Sequence, residues 1–199
     1  VNGVREPTRD PPGATDQPSR GNLVLIGLRG SGKSAVAEVL AQRLGWNAVD
    51  TDELVEQQSG RTIREIFEAD GEAGFRALET RVLERVVRGK RQVISVGGGA
   101  ILSEHNRRLL RQAGLCVWLT APPEVLHRRL QADTRTASLR PPLTNMPGLE
   151  ETRQVLQTRE PLYAATAEHV VDTTDRTVTQ VADAVVALVS SSPRPAKGT

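Results

Sequence analysis

Apolar positions along the chain alternate between short continuous runs and stripes that recur every three or four residues. Leu23, Val24, Leu25 and Ile26 form the first run, which predicts a buried strand. Ala35, Val36, Val39, Leu40 and Leu44 then recur at helical spacing, and Gly45 stops that helix. Residues 46–49 predict a second strand ending at Asp50-Thr51-Asp52. Residues 53–58 predict a helix broken by Gly60, and Thr62 is placed to cap a short helix carrying Ile63, Ile66 and Phe67. Beyond Gly71, a stripe of Phe75, Leu78, Val82, Leu83 and Val86 runs to Gly89. Residues 93–96 predict a third strand, which leads straight into Gly97-Gly98-Gly99.

Ser103 is placed to cap a helix reaching Gln112, Gly114 ends it, and residues 115–119 predict a fourth strand. Pro122 and Pro123 suit the first turn of a helix that reaches Gln131. Residues 150–159 predict another helix, Val170 and Val171 a fifth strand, and residues 178–189 a closing helix. Strand and helix thus alternate five times across short connections. That is the pattern of an α/β fold whose parallel sheet is covered by helices on both faces. Ligands of such sheets sit at the carboxyl ends of the strands.

Three segments stand outside this pattern. Residues 1–20 hold Pro7, Pro11, Pro12 and Pro18 among charges and read as a flexible extension, and residues 191–199 as a similar tail. One folded domain is therefore expected over residues 21–190. Inside it, residues 132–148 are polar and rich in proline; so long an irregular connection in a compact domain points to function, here a mobile lid.

Composition narrows the function classes. Aromatic residues make up 3% of the 199 and the net charge is +2, which argues against a base-stacking or polyanion-binding surface. Cys116 is the single cysteine, so no intrachain disulfide forms, and no apolar stretch approaches a membrane span. The expectation is a cytoplasmic monomer acting on small molecules, with neither nucleic acid nor membrane as partner.

The chemistry begins at residues 27–34, GLRGSGKS, which fit G-x-x-x-x-G-K-[ST] between a strand and a helix. Gly30, Ser31, Gly32, Lys33, Ser34 and Ala35 are the candidate nucleotide contacts. Backbone N–H groups cradle phosphate, Lys33 adds a point charge for it, and Ser34 offers a hydroxyl to Mg²⁺. Asp50 and Asp52 either cap the following helix or serve the metal and an acceptor hydroxyl. Arg76 and Glu79 share a helix face, as a surface ion pair or as a guanidinium braced for a substrate carboxylate. The glycines at 97, 98 and 99 make either a tight turn or a floor for a ligand. Arg140, stiffened by Pro141 and Pro142, is placed to reach a transferring phosphoryl group from the lid. Arg159 either favours a helix dipole or clamps an anion. His105, His127 and His169 lack metal-ligand spacing.

Together GLRGSGKS, VDTDELVEQQSGRTIREIF, GEAGFRALE, VISVGGGA, RPPL and REPLY, in this order, resemble shikimate kinase over residues 23–189. The resemblance implies the P-loop, NMP-kinase-like three-layer fold, with the first strand central between the third and fourth. It implies transfer of the γ-phosphoryl group of ATP, with Mg²⁺, to the 3-hydroxyl of shikimate. Lys33 would hold phosphates, Ser34 would ligate the metal, and Asp50 would lie near it through water. Asp52 would act as base, and Arg76 and Arg159 would clamp the carboxylate above Gly97, Gly98 and Gly99. Arg140 would be the lid arginine. Arg128 or Arg129 would flank adenine, with Arg129 the better placed. The lid is longer than the family pattern. A gluconate kinase or a nucleotide-binding module without turnover are the alternative readings.

Overall fold

The structure, a computed structural model, describes residues 21–133 and 148–191. Five strands form one sheet: β1 (Asn22–Ile26), β2 (Asn47–Asp50), β3 (Gln92–Ser95), β4 (Gly114–Thr120) and β5 (His169–Asp172). Their order is β2-β3-β1-β4-β5 and every pairing is parallel, as the resemblance implies. The helices are α1 (Lys33–Leu44), α2 (Thr51–Ser59), α3 (Ile63–Val86), α4 (Glu104–Ala113), α5 (Pro123–Ala132), α6 (Leu149–Thr166) and α7 (Val178–Ser191).

Alternation along the central strands divides the core into two layers. Leu23, Leu25, Val117 and Leu119 pack against Val36 and Leu40 of α1 and Val181 and Val185 of α7. Val24, Ile26, Ile94 and Trp118 pack the opposite way, against Phe75 and Val82 of α3, Leu110 of α4 and Tyr163 of α6. With helices on both faces, β1 has no polar side to show, so its four apolar residues form a continuous run.

Local differences from the sequence expectation have local causes. Helix α2 begins at Thr51 rather than at Glu53, because the Asp50 carboxylate accepts from the backbone N–H of Asp52 and Glu53. The two helices expected on either side of Gly71 are one element, α3, kinked at Gly71 (φ 68°, ψ −176°). Its start carries a full capping box between Thr62 and Glu65. Helix α6 does not stop at Arg159; it runs through Pro161 to Thr166. Trp46 precedes β2 instead of opening it.

The pairing register positions the site. Asp50 of β2 lies opposite Ser95 of β3, which lies opposite Leu25 of β1. The carboxyl ends of three strands therefore finish level, and the loops after them open on one edge. Among the described residues no helix is long and apolar enough to cross a membrane.

Candidate active site

Between β1 and α1 the chain turns through Gly30 (φ 83°) and Gly32 (φ 87°), backbone angles that residues with a Cβ rarely adopt. Gly32 ends the loop as the N-cap of α1 and provides no side-chain cap, so the first amides of α1 stay available for an anion. Lys33 is buried and folds back across the loop, donating from Nζ to the carbonyls of Gly27 (2.9 Å) and Leu28 (3.1 Å). The buried Ser31 hydroxyl has no hydrogen-bond partner, whereas Ala35 lies exposed in the first turn of α1.

Ser34 points along the level strand ends. Its hydroxyl donates to Asp50 Oδ2 at 2.6 Å, and Ser95 Oγ donates to the same oxygen at 2.9 Å. Asp50 Oδ1 meanwhile accepts from the N–H of Asp52 at 2.9 Å. Capping and polar-site readings of Asp50 therefore hold together: one oxygen starts α2, and the other faces two hydroxyls. Ser95 carries no motif of its own. Only the register opposite Asp50 brings it in, and that register is not written in the local sequence.

Beside the loop lies an open cleft. Asp52, Arg76, Glu79 and Arg159 supply its polar wall, Ile63, Phe67 and Phe75 an apolar wall, and Gly98 and Gly99 bare backbone. Leu28 and Arg29 of the phosphate loop close the near end. The capped start of α2 delivers Asp52, α3 delivers Arg76 and Glu79 one turn apart, and α6 delivers Arg159. Asp52 is 9% exposed and Arg159 8%, so both charges face the cleft rather than bulk water.

The Arg76–Glu79 pair is not a surface ion pair. Arg76 Nη1 donates to Glu79 Oε2 at 2.8 Å, with the Glu79 side chain 2% exposed. Glu72 accepts from the outer side of the same guanidinium, at 3.1 Å from Nη2. Burial pushes the Glu79 carboxyl up to about 7; Arg76 pulls it back, and the nearby Asp52 adds to the rise. Burial also works against the Arg76 charge, but Glu79 and Glu72 outweigh it and hold its pKa above the ordinary value.

The glycines of the third strand end are bare for two reasons. A Cβ on Gly97 would lie 2.6 Å from Asp52 Oδ1 and 2.9 Å from Glu79 Oε1, and one on Gly99 would collide with the Arg76 guanidinium. Gly98 lies against the phosphate loop, with Gly27 O 3.3 Å from such an atom. The site's own side chains, as much as any ligand, exclude a Cβ here. Gly97 N–H is further tied to Thr51 Oγ1 at 2.9 Å, joining this loop to α2.

Arg159 lies well inside α6, so the helix-dipole reading of it fails. Its Nη1 donates to the Gly98 carbonyl at 3.1 Å. Arg129, in the last turn of α5, donates to Thr173 Oγ1 (2.9 Å) and to the carbonyls of Thr173 and Thr174, while Arg128 is exposed. Arg140 and most of the lid segment lie outside the described residues. Sequence reasoning passed over Arg29, whose guanidinium lies 3.9 Å from Glu151 at the start of α6.

Comparison with known proteins agrees with this geometry. The family model described as shikimate kinase matches residues 29–190. A shikimate kinase of Rhodopirellula baltica is 43% identical over 171 residues, covering 86% of this chain and 91% of its own. One of Symbiobacterium thermophilum is 47% identical over 155 residues, covering 78% and 87%. Among solved structures, shikimate kinase from Acinetobacter baumannii in complex with shikimate superposes with a TM-score of 0.80 at 35% identity, over 85% of this chain and 93% of that one. By sequence and by fold, this chain belongs to the shikimate kinase family, and the reaction it catalyses is the phosphorylation of shikimate.

Proposed function

We propose that the cleft holds shikimate and the phosphate loop holds ATP, so that the γ-phosphoryl group passes directly to the 3-hydroxyl. The observation that carries this is the convergence of Asp52, Arg76 and Arg159 on one cleft beside the loop. Arg76 and Arg159 grip the carboxylate, since a guanidinium fork matches two oxygens and fixes the ring's orientation. Asp52 accepts a hydrogen bond from the acceptor hydroxyl and takes its proton as the new P–O bond forms. The bond from the γ-phosphorus to the ADP oxygen breaks in the same transfer. Gly97, Gly98 and Gly99 form the floor.

On the nucleotide side, Gly30, Ser31, Gly32, Lys33, Ser34 and Ala35 surround the phosphates, and the planar Arg129, fixed by Thr173 and Thr174, flanks adenine. The charge of Arg140 serves the transferring phosphoryl group. The hydroxyl of Ser34 and the carboxylate of Asp50 are hard oxygen donors 2.6 Å apart, which suits Mg²⁺ with most of its water retained. When bound, the ion neutralises phosphate charge. The enzyme acts as a cytoplasmic monomer.

ADP release measured over a panel of hydroxy acids tests the assignment. Shikimate is expected to stimulate release far more than gluconate or quinate does. Equal stimulation by gluconate would overturn the acceptor assignment.

A further inference from the structure

The mechanism above leaves Tyr163 without a role, although it is 0% exposed and carries a polar group into the core. Its ring stacks on Trp118 of β4, with centroids 5.6 Å apart and planes inclined by 19°. Its hydroxyl donates to the Gly98 carbonyl at 2.6 Å. Arg159, four residues earlier on the same face of α6, donates to that same oxygen at 3.1 Å. Both lone pairs of the Gly98 carbonyl are thereby engaged.

This fixes more than one atom. The peptide unit is planar and trans, so its C=O and its N–H point in opposite directions. Pinning Gly98 C=O to α6 therefore directs the Gly99 N–H away from α6. That N–H makes no hydrogen bond to another described residue. Gly99 lines the cleft and lies directly against the Arg76 guanidinium. Burial pushes the Tyr163 phenol up, so the hydroxyl stays a donor at physiological pH.

We propose that Tyr163 is a positioning residue: anchored on Trp118, it sets the plane of the Gly98–Gly99 peptide and so presents the Gly99 N–H to the shikimate carboxylate beside Arg76. Arg159, which shares the Gly98 carbonyl with Tyr163, then grips the same carboxylate. The proposal rests on the reading of Gly97 to Gly99 as the acceptor floor.

Tyr163→Phe keeps the ring and its stacking and removes only the donor. The KM for shikimate is expected to rise about three- to tenfold, the loss of one hydrogen bond, with the KM for ATP unchanged. An unchanged KM for shikimate would overturn the proposal. So would parallel rises in both KM values with a lowered Tm, which mark general loosening. A second measurement on the unaltered full-length chain does not depend on the variant folding. In ¹⁵N NMR, the Gly99 amide is expected to shift downfield on addition of shikimate alone. If it does not move, the acceptor-floor reading fails and this proposal with it. If it moves but Tyr163→Phe binds shikimate normally, only the role of Tyr163 fails.

Discussion

Arg76 and Glu79 meet at 2.8 Å across one turn of α3, with the acid almost wholly buried and the base open to the cleft. Both groups line the cleft, and Glu72 accepts from the other side of the guanidinium, so the fork is held from two sides. Bracing of this kind reduces the rotamer freedom that substrate binding must otherwise restrict. Arg76→Lys keeps the charge and loses the planar fork. Steady-state kinetics should show the KM for shikimate raised about tenfold or more, with the KM for ATP within twofold. A matching rise in the KM for ATP would contradict the grip.

The same pair gives the fold a pH dependence of known sign. Glu79 has its carboxyl raised from the ordinary range to about 7, so the folded chain holds a proton that the unfolded chain releases near 4.5. Its contribution is fully present below that lower value and is lost as pH rises through about 7. Chemical denaturation of Glu79→Gln, which cannot ionise, provides the reference. Between pH 5 and 8 the natural chain should lose stability relative to the variant, by about 3 kcal/mol at most. A constant difference across that window would show that Glu79 does not titrate there.

Gly99→Ala separates folding from binding. The backbone at Gly99 (φ −103°, ψ −7°) accepts any residue, and the added methyl meets the tip of Arg76, which can swing aside. Thermal melting should move little, while shikimate affinity should fall about tenfold or more through displacement of that grip. Gly97→Ala has no such outlet, because its methyl meets two buried carboxylates. It should lower stability by about 1–3 kcal/mol as well as abolish turnover.

Asp50→Asn tests the metal side. Asparagine remains a good N-cap, so α2 should persist with almost unchanged Tm. The carboxylate that Ser34 and Ser95 both address is lost. A Mg²⁺ titration of activity should give a higher half-saturating concentration, with lower kcat. An unchanged titration would remove Asp50 from the metal site.

Much of this was legible in the chain, and the limits have physical reasons. GLRGSGKS is a local motif whose geometry follows from its own glycines, so the phosphate loop could be placed from residues 27–34 alone. Asp50 as a cap was also local. The burial of Glu79 was not, because i,i+3 spacing brings Arg76 and Glu79 together whether the helix face is wet or dry. Ser95 joins the site through strand register, and Tyr163 through packing of α6 against β4, both long-range relationships. The sequence expectation ends this helix at Arg159, but α6 continues through Pro161 to Thr166 and carries Tyr163 to Gly98.

The most direct measurement compares ADP release by the natural enzyme and by Asp52→Asn, each with and without shikimate, alongside ATP binding by calorimetry. Release by the natural enzyme should depend on shikimate. In Asp52→Asn it should fall by about a hundredfold or more, with ATP affinity preserved. Shikimate-dependent turnover at near-natural rate in Asp52→Asn would contradict a site in which that carboxylate takes the hydroxyl proton.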